Sequence, residues 1–123
     1  QTADYMRTPG MDLMTNWLTS GIQPKAVFAN NDEMAIGAIQ AMKSSGVPMD
    51  SVVIGGVDAT KDALAAMKAG DLDVTVFQNA KGQGVGSLDT VMKIVKGEPH
   101  EKKTFIPFEL VTPANLKDYE AMN

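Results

Sequence analysis

Four short apolar runs, at residues 26–29, 52–57, 74–77 and 105–111, alternate with stretches of helical spacing. This alternation constrains the fold more than any other feature. Runs this short, bounded by polar or glycine-containing breaks, have strand length, and the segments between them place apolar residues three and four apart. The run at 26–29 reads as a strand buried on both faces. Pro107 places the last run at a sheet edge or an irregular crossing, because proline cannot donate to a ladder.

After an irregular opening at residues 1–8, the first helix is expected from Pro9 and Gly10 to Gly21. Asn31 is placed to cap a second helix, with Asp32 and Glu33 suited to its dipole, and Gly46, Val47 and Pro48 break it. Thr60 caps a third helix, which Gly70 ends. A long fourth helix spans residues 82–96, with Val85, Leu88, Val91, Met92 and Val95 inward, and stops at Gly97. Thr112 and Pro113 open a last one carrying Leu116 and Tyr119. Strands and helices in strict alternation mean βαβ units with right-handed crossovers. The expected fold class is α/β, a parallel sheet with helices on both faces.

Size and composition narrow the chemistry. A chain of 123 residues buries enough surface for one core and too little for two. It has no Cys and one His, His100, so disulfides, thiolate metal sites and paired-histidine zinc motifs are excluded. A net charge of -4 with no basic patch argues against a nucleic-acid partner. No apolar run approaches the ~20 residues that span a bilayer. Gln1 opens the chain without Met, as a mature or cut product would.

Ligands of open parallel sheets bind beyond the carboxyl ends of the strands. Asn31, Asp58 and Gln78 fall at those ends. Their forked amides and carboxylate offer two directed hydrogen bonds each, which suits hydroxyl groups that both donate and accept. Helix capping is the competing role for each. Tyr5 and Trp17 are the aromatics that could pack on a sugar ring. Trp17 lies on an apolar helix stripe and reads as core, whereas Tyr5 has no evident core duty. The run Gly82-Gln83-Gly84-Val85-Gly86 follows a strand but misses the dinucleotide spacing, since Ser87 stands where the third glycine belongs. It reads as a slim helix start packed close to the sheet. Asp71 and Asp73 read as solvated acids, and His100 as part of an exposed turn. No acid–base pair, nucleophile or cofactor loop can be assembled.

Residues 26–38, AVFANNDEMAIGA, resemble the central motif of the type I sugar-binding periplasmic proteins, the ribose-, galactose- and inositol-binding group related to LacI-type effector domains. Residues 53–60, VIGGVDAT, and residues 73–78, DVTVFQ, agree in order and spacing, and the opening QTADY resembles the stretch that carries a sugar-facing aromatic. The resemblance implies a non-enzymatic, cofactor-free receptor in the periplasm. Such a receptor captures a monosaccharide or polyol by hinge closure and delivers it to an ABC transporter permease. It implies ligand contacts from Tyr5, Asn31, Asp58 and Gln78. It also implies that residues 1–78 form a C-terminal lobe, that 79–104 carry a helix packing on an N-terminal lobe, and that 105–123 hold a crossing strand and a last helix. The N-terminal lobe precedes these motifs in the family, so that lobe, or a second copy of this chain, is an expected partner. The effector domain of a LacI-type repressor is the alternative, and a dinucleotide enzyme using Gly82 to Gly86 is a third.

Overall fold

The computed structural model describes residues 1–122. The elements are α1 (Arg7–Thr19), β1 (Ala26–Phe28), α2 (Asp32–Ser44), a 3-10 turn (Met49–Ser51), β2 (Val53–Gly55), α3 (Lys61–Lys68), β3 (Thr75–Phe77), α4 (Ala80–Lys96), β4 (Glu109–Val111) and α5 (Leu116–Glu120). They fall into two compact units, residues 1–77 with 110–123, and residues 78–109.

In the first unit β1 and β2 run parallel, with Ala26 opposite Val53, Val27 opposite Ile54 and Phe28 opposite Gly55. A parallel bridge from Gly55 to Val74 carries the ladder on to the residue before β3, and β3 pairs with β4. Burial follows the strand period of two. Ile54 is buried and Val27 packs against the core, while Ala26, Phe28 and Val53 point the other way. Phe28 is 75% exposed and Val53 58%, so the expectation that residues 26–29 are buried on both faces does not hold here. An apolar run states that a face wants covering, not which segment covers it, and among the described residues nothing does.

The core gathers Met14, Met42, Ile54, Leu72 and Val111, with Phe77 and Tyr119 stacked at a tilt, 5.3 Å between ring centroids. Full burial of each large apolar side chain contributes about 1.5–3 kcal/mol. Trp17 is partly buried against this core. Helix α2 is its most buried helix, because it packs on α1, α3 and β2. The α1–α2 contact depends on two glycines. A Cβ at Gly37 would lie 2.1 Å from the Arg7 carbonyl oxygen, and one at Gly10 2.9 Å from that of Met34. The two backbones touch only because these side chains are absent.

Helix α1 starts at Arg7, inside the segment expected to be irregular. Pro9 then falls in the first turn, where its missing N–H has no intrahelical partner to lose. Asn31 and Thr60 cap as expected, accepting from the N–H groups of Met34 and Ala63. Helix α5 starts later than expected. Asn115, rather than Thr112, organises its approach, its Oδ1 accepting the Thr112 N–H at 2.8 Å. Asp71 and Asp73 are not idle acids. Asp71 pairs with Lys43 at 2.6 Å, and Asp73 accepts the Ile54 N–H at 2.7 Å.

In the second unit α4 begins at Ala80 and is capped by Asn79, whose Oδ1 accepts the Gly82 N–H at 2.9 Å. The run from Gly82 to Gly86 is therefore helix interior, not a phosphate-cradling turn. Gly82 leaves room for the Asn79 amide, and Gly86 lets Ile106 approach. The extended segment expected at 105–111 narrows to β4. The residues before it lie along α4, with Thr104 Oγ1 2.9 Å from Thr90 Oγ1. Val85, Leu88, Val91, Met92 and Val95, expected inward, are all at least half exposed. The periodicity marks one face correctly, but that face has no cover among the described residues. No helix among them is long and apolar enough to cross a membrane.

Candidate functional site

Strand register sets the site. Because Phe28 pairs with Gly55, residues three beyond each strand, Asn31 and Asp58, leave the sheet at matching heights. Backbone bonds carry the ladder past the strands. The Asp32 N–H donates to Val57 O at 2.8 Å and the Asp58 N–H to Val76 O at 2.9 Å.

Asn31 does two jobs. Its Oδ1 caps α2, accepting the Met34 N–H at 3.0 Å, while its Nδ2 donates to the Tyr5 carbonyl at 3.1 Å. The capping role and proximity to Tyr5 thus coexist, and the structure brings these two residues together. Tyr5 is 66% exposed.

Asp58 sits on backbone of φ 116°, followed by Ala59 at 54°, both in the left-handed region that non-glycine residues seldom occupy. Such strain concentrates at functional positions and is held by its surroundings. The Asp58 carboxylate has no hydrogen-bond partner among the described residues. Partial burial pushes its pKa above the usual aspartate value. Gln78 is the first residue of the second unit, and its carbonyl accepts from the Gln83 amide.

Sequence reasoning missed two residues. Asp32, read as a dipole-complementing acid, is fully buried and holds the strand ends together. Its Oδ2 accepts the Thr60 N–H at 2.8 Å, and its Oδ1 accepts the Thr75 hydroxyl at 2.7 Å. The Thr75 oxygen in turn accepts the Ala59 N–H at 3.1 Å. Burial raises the Asp32 pKa, the bonds from Thr75 and Thr60 oppose the rise, and the nearby Asp58 charge adds to it. A Cβ at Gly56 would stand 2.3 Å from Asp32 Oδ1, so this carboxylate requires glycine there. The available signal was a hydroxyl, Thr75, in an otherwise apolar strand. The other missed residue is Arg7, paired with Glu33 and Asp62 at the starts of α2 and α3. Both carboxylates hold its guanidinium charged, Glu33 most strongly.

Among the described residues no group of three or more His, Asp or Glu side chains could hold a metal ion. What the first unit offers is a strand-end surface with one free carboxylate, one amide and one exposed aromatic ring. That combination can bind hydroxyls on one side and a ring's C–H face on the other.

Comparison with known proteins identifies the family of the chain. The sequence pattern of the periplasmic binding protein domain matches residues 1–99. A Rhizobium meliloti protein named for rhizopine binding is 66% identical over 123 residues, all of this chain and 40% of that protein. The ribose import binding protein of Bacillus subtilis is 41% identical over 112 residues, 91% of this chain and 36% of its own length. An ABC transporter solute binding protein from Bacillus halodurans, solved with bound myo-inositol, superposes with a TM-score of 0.89 at 53% identity, over 99% of this chain and 42% of that one. The chain thus spans about 40% of the length of the relatives it matches. With the family pattern over most of its residues and the fold shared at this level, the chain belongs to the periplasmic binding protein domain family.

Proposed function

We propose that this chain supplies one wall of the binding cleft of a solute receptor, which captures a sugar or polyol by hinge closure and delivers it to an ABC importer. The observation that carries this reading is the register-matched exit of Asn31 and Asp58 from two parallel strands, with Tyr5 bonded to Asn31. In it, the Asp58 carboxylate accepts from two ligand hydroxyls, and the Asn31 and Gln78 amides donate and accept. The Tyr5 ring packs on the C–H face of the ligand. Residues 1–78 belong to a C-terminal lobe. Residues 79–104 carry a helix whose apolar face packs on an N-terminal lobe, and residues 105–123 return to the first lobe. The relatives' names support the sugar or polyol class and an importer as partner, and the family's description supports a periplasmic location. The role is binding without catalysis, a reading supported by relatives that are named as binding proteins.

Calorimetry tests this with ribose, galactose and myo-inositol. The titrations use this chain and a chimera in which it replaces the matching part of the Bacillus halodurans protein. The chimera is expected to bind at least one of these ligands, and Asp58→Ala to weaken it at least tenfold, the loss of a charge-assisted hydrogen bond. Absence of binding by both proteins to all three ligands overturns the reading.

A further inference from the structure

Tyr5 sits on backbone that its residue type disfavours. Residues 3–6 form a turn closed by the Met6 N–H donating to Ala3 O at 3.0 Å. Its two central residues have positive φ, 50° at Asp4 and 59° at Tyr5. Turns of that hand are dominated by Gly, Asn and Asp, and a large side chain at the second central position is strained. Such a turn persists only where its neighbours over-determine it.

The neighbours are identifiable. Ala3 is buried on the upstream side. Asn31 Nδ2 grips the Tyr5 carbonyl at 3.1 Å. Downstream, Arg7 Nε and Nη2 donate to the two Glu33 oxygens at 2.9 and 2.8 Å, and Nη2 also reaches Asp62 at 2.6 Å. The planar guanidinium fork matches a carboxylate at both ends, a geometry lysine cannot reproduce. The close α1–α2 approach at Gly10 and Gly37 brings the start of α1 within reach of Glu33 on α2.

We propose that Asn31 and Arg7 are positioning residues for Tyr5: they pin a strained turn from both sides and present its ring as a preformed wall of the ligand site. This rests on the reading of Tyr5 as a ligand contact. Its benefit is preorganisation, since a ring already held in place loses little freedom when a ligand docks. Ion pairs this open to solvent on one side add little to global stability, so the expected effect of the Arg7 cluster is local to the turn.

The test is NMR relaxation and amide exchange on the ligand-free chain, with the buried Tyr119 as internal reference. Arg7→Ala removes the fork. Asn31→Ser keeps a capping oxygen and removes the amide that holds Tyr5. Each is expected to speed exchange of the Met6 amide about tenfold, as local opening becomes easier. Each should also lower the Tyr5 order parameter from about 0.85 towards about 0.6, leaving Tyr119 unchanged. Arg7→Lys should recover part of the order. If Arg7→Ala does not fold, Glu33→Gln, which weakens the same fork, takes its place with the same expectation. Tyr5 remaining as ordered as in the unsubstituted chain, or Tyr5 and Tyr119 loosening together, overturns the proposal. No ligand is present, so failure here leaves the calorimetric test intact, and failed calorimetry leaves this result standing.

Discussion

The two units contain similar apolar side chains and use them in opposite ways. In residues 1–77 with 110–123, Met14, Ile54, Leu72 and Val111 are sealed among helices and strands. In residues 78–109, α4 has no buried residue, and its valines and leucine are half exposed or more. Both regions carry a clear 3.6-residue apolar spacing. The difference teaches that spacing chooses the face of an element, whereas burial depends on whether a second surface is there to meet it.

The sharpest way to break that contrast is to make one chemical change in both places. Leu72 is 2% exposed and Leu88 67%. Leu72→Ala should cost about 3 kcal/mol through lost transfer energy and a residual cavity, and Leu88→Ala less than about 0.5 kcal/mol. Urea midpoints read both, and equal losses would show that α4 is packed in solution. Next in size is Asp32→Ala. It strands the Thr60 N–H and the Thr75 hydroxyl in the first unit, at a cost of about 2–3 kcal/mol by the same measurement.

Asp4→Gly runs the other way. Relief of the positive φ at that residue should raise stability by about 0.5–1 kcal/mol, seen as a higher melting temperature. The smallest effect concerns pH. Folding raises the Asp58 pKa above 3.8, so its contribution favours the folded state while the carboxyl is protonated and is lost as pH rises through the folded value. Asp58→Asn should therefore flatten the fall in urea midpoint with rising pH across the carboxylate range. Asp32, raised in the same direction, keeps part of the slope in that variant. An unchanged slope would mean that Asp58 titrates as it does in the unfolded chain.

Much of this was legible because it is written locally. The alternation of strands and helices, the caps at Asn31 and Thr60 and the stop at Gly97 each depend on a few adjacent residues. The start of α1 escaped because Met6 offers no capping side chain. The dual role of Asn31 escaped because its second partner, Tyr5, lies 26 residues upstream. Asp32 looked like any acid in a first helical turn, and only Thr75 and Gly56, far along the chain, make it a buried acceptor. For the candidate site, the strand-end rule finds where Asn31 and Asp58 stand. What keeps them there is tertiary and invisible to spacing.

The buried Asp32 carboxylate bears on how a site of the proposed kind changes its taste. On either side of residue 58 the main chain is fastened, Val57 through its oxygen to the Asp32 N–H and Ala59 through its N–H to the Thr75 hydroxyl. The main chain at 58 is thus a fixed mount, held at a φ that few side chains accept. On the proposed reading, a change of guest comes from trading that side chain within this backbone limit, while the hydrogen bonds of the bracket behind it remain.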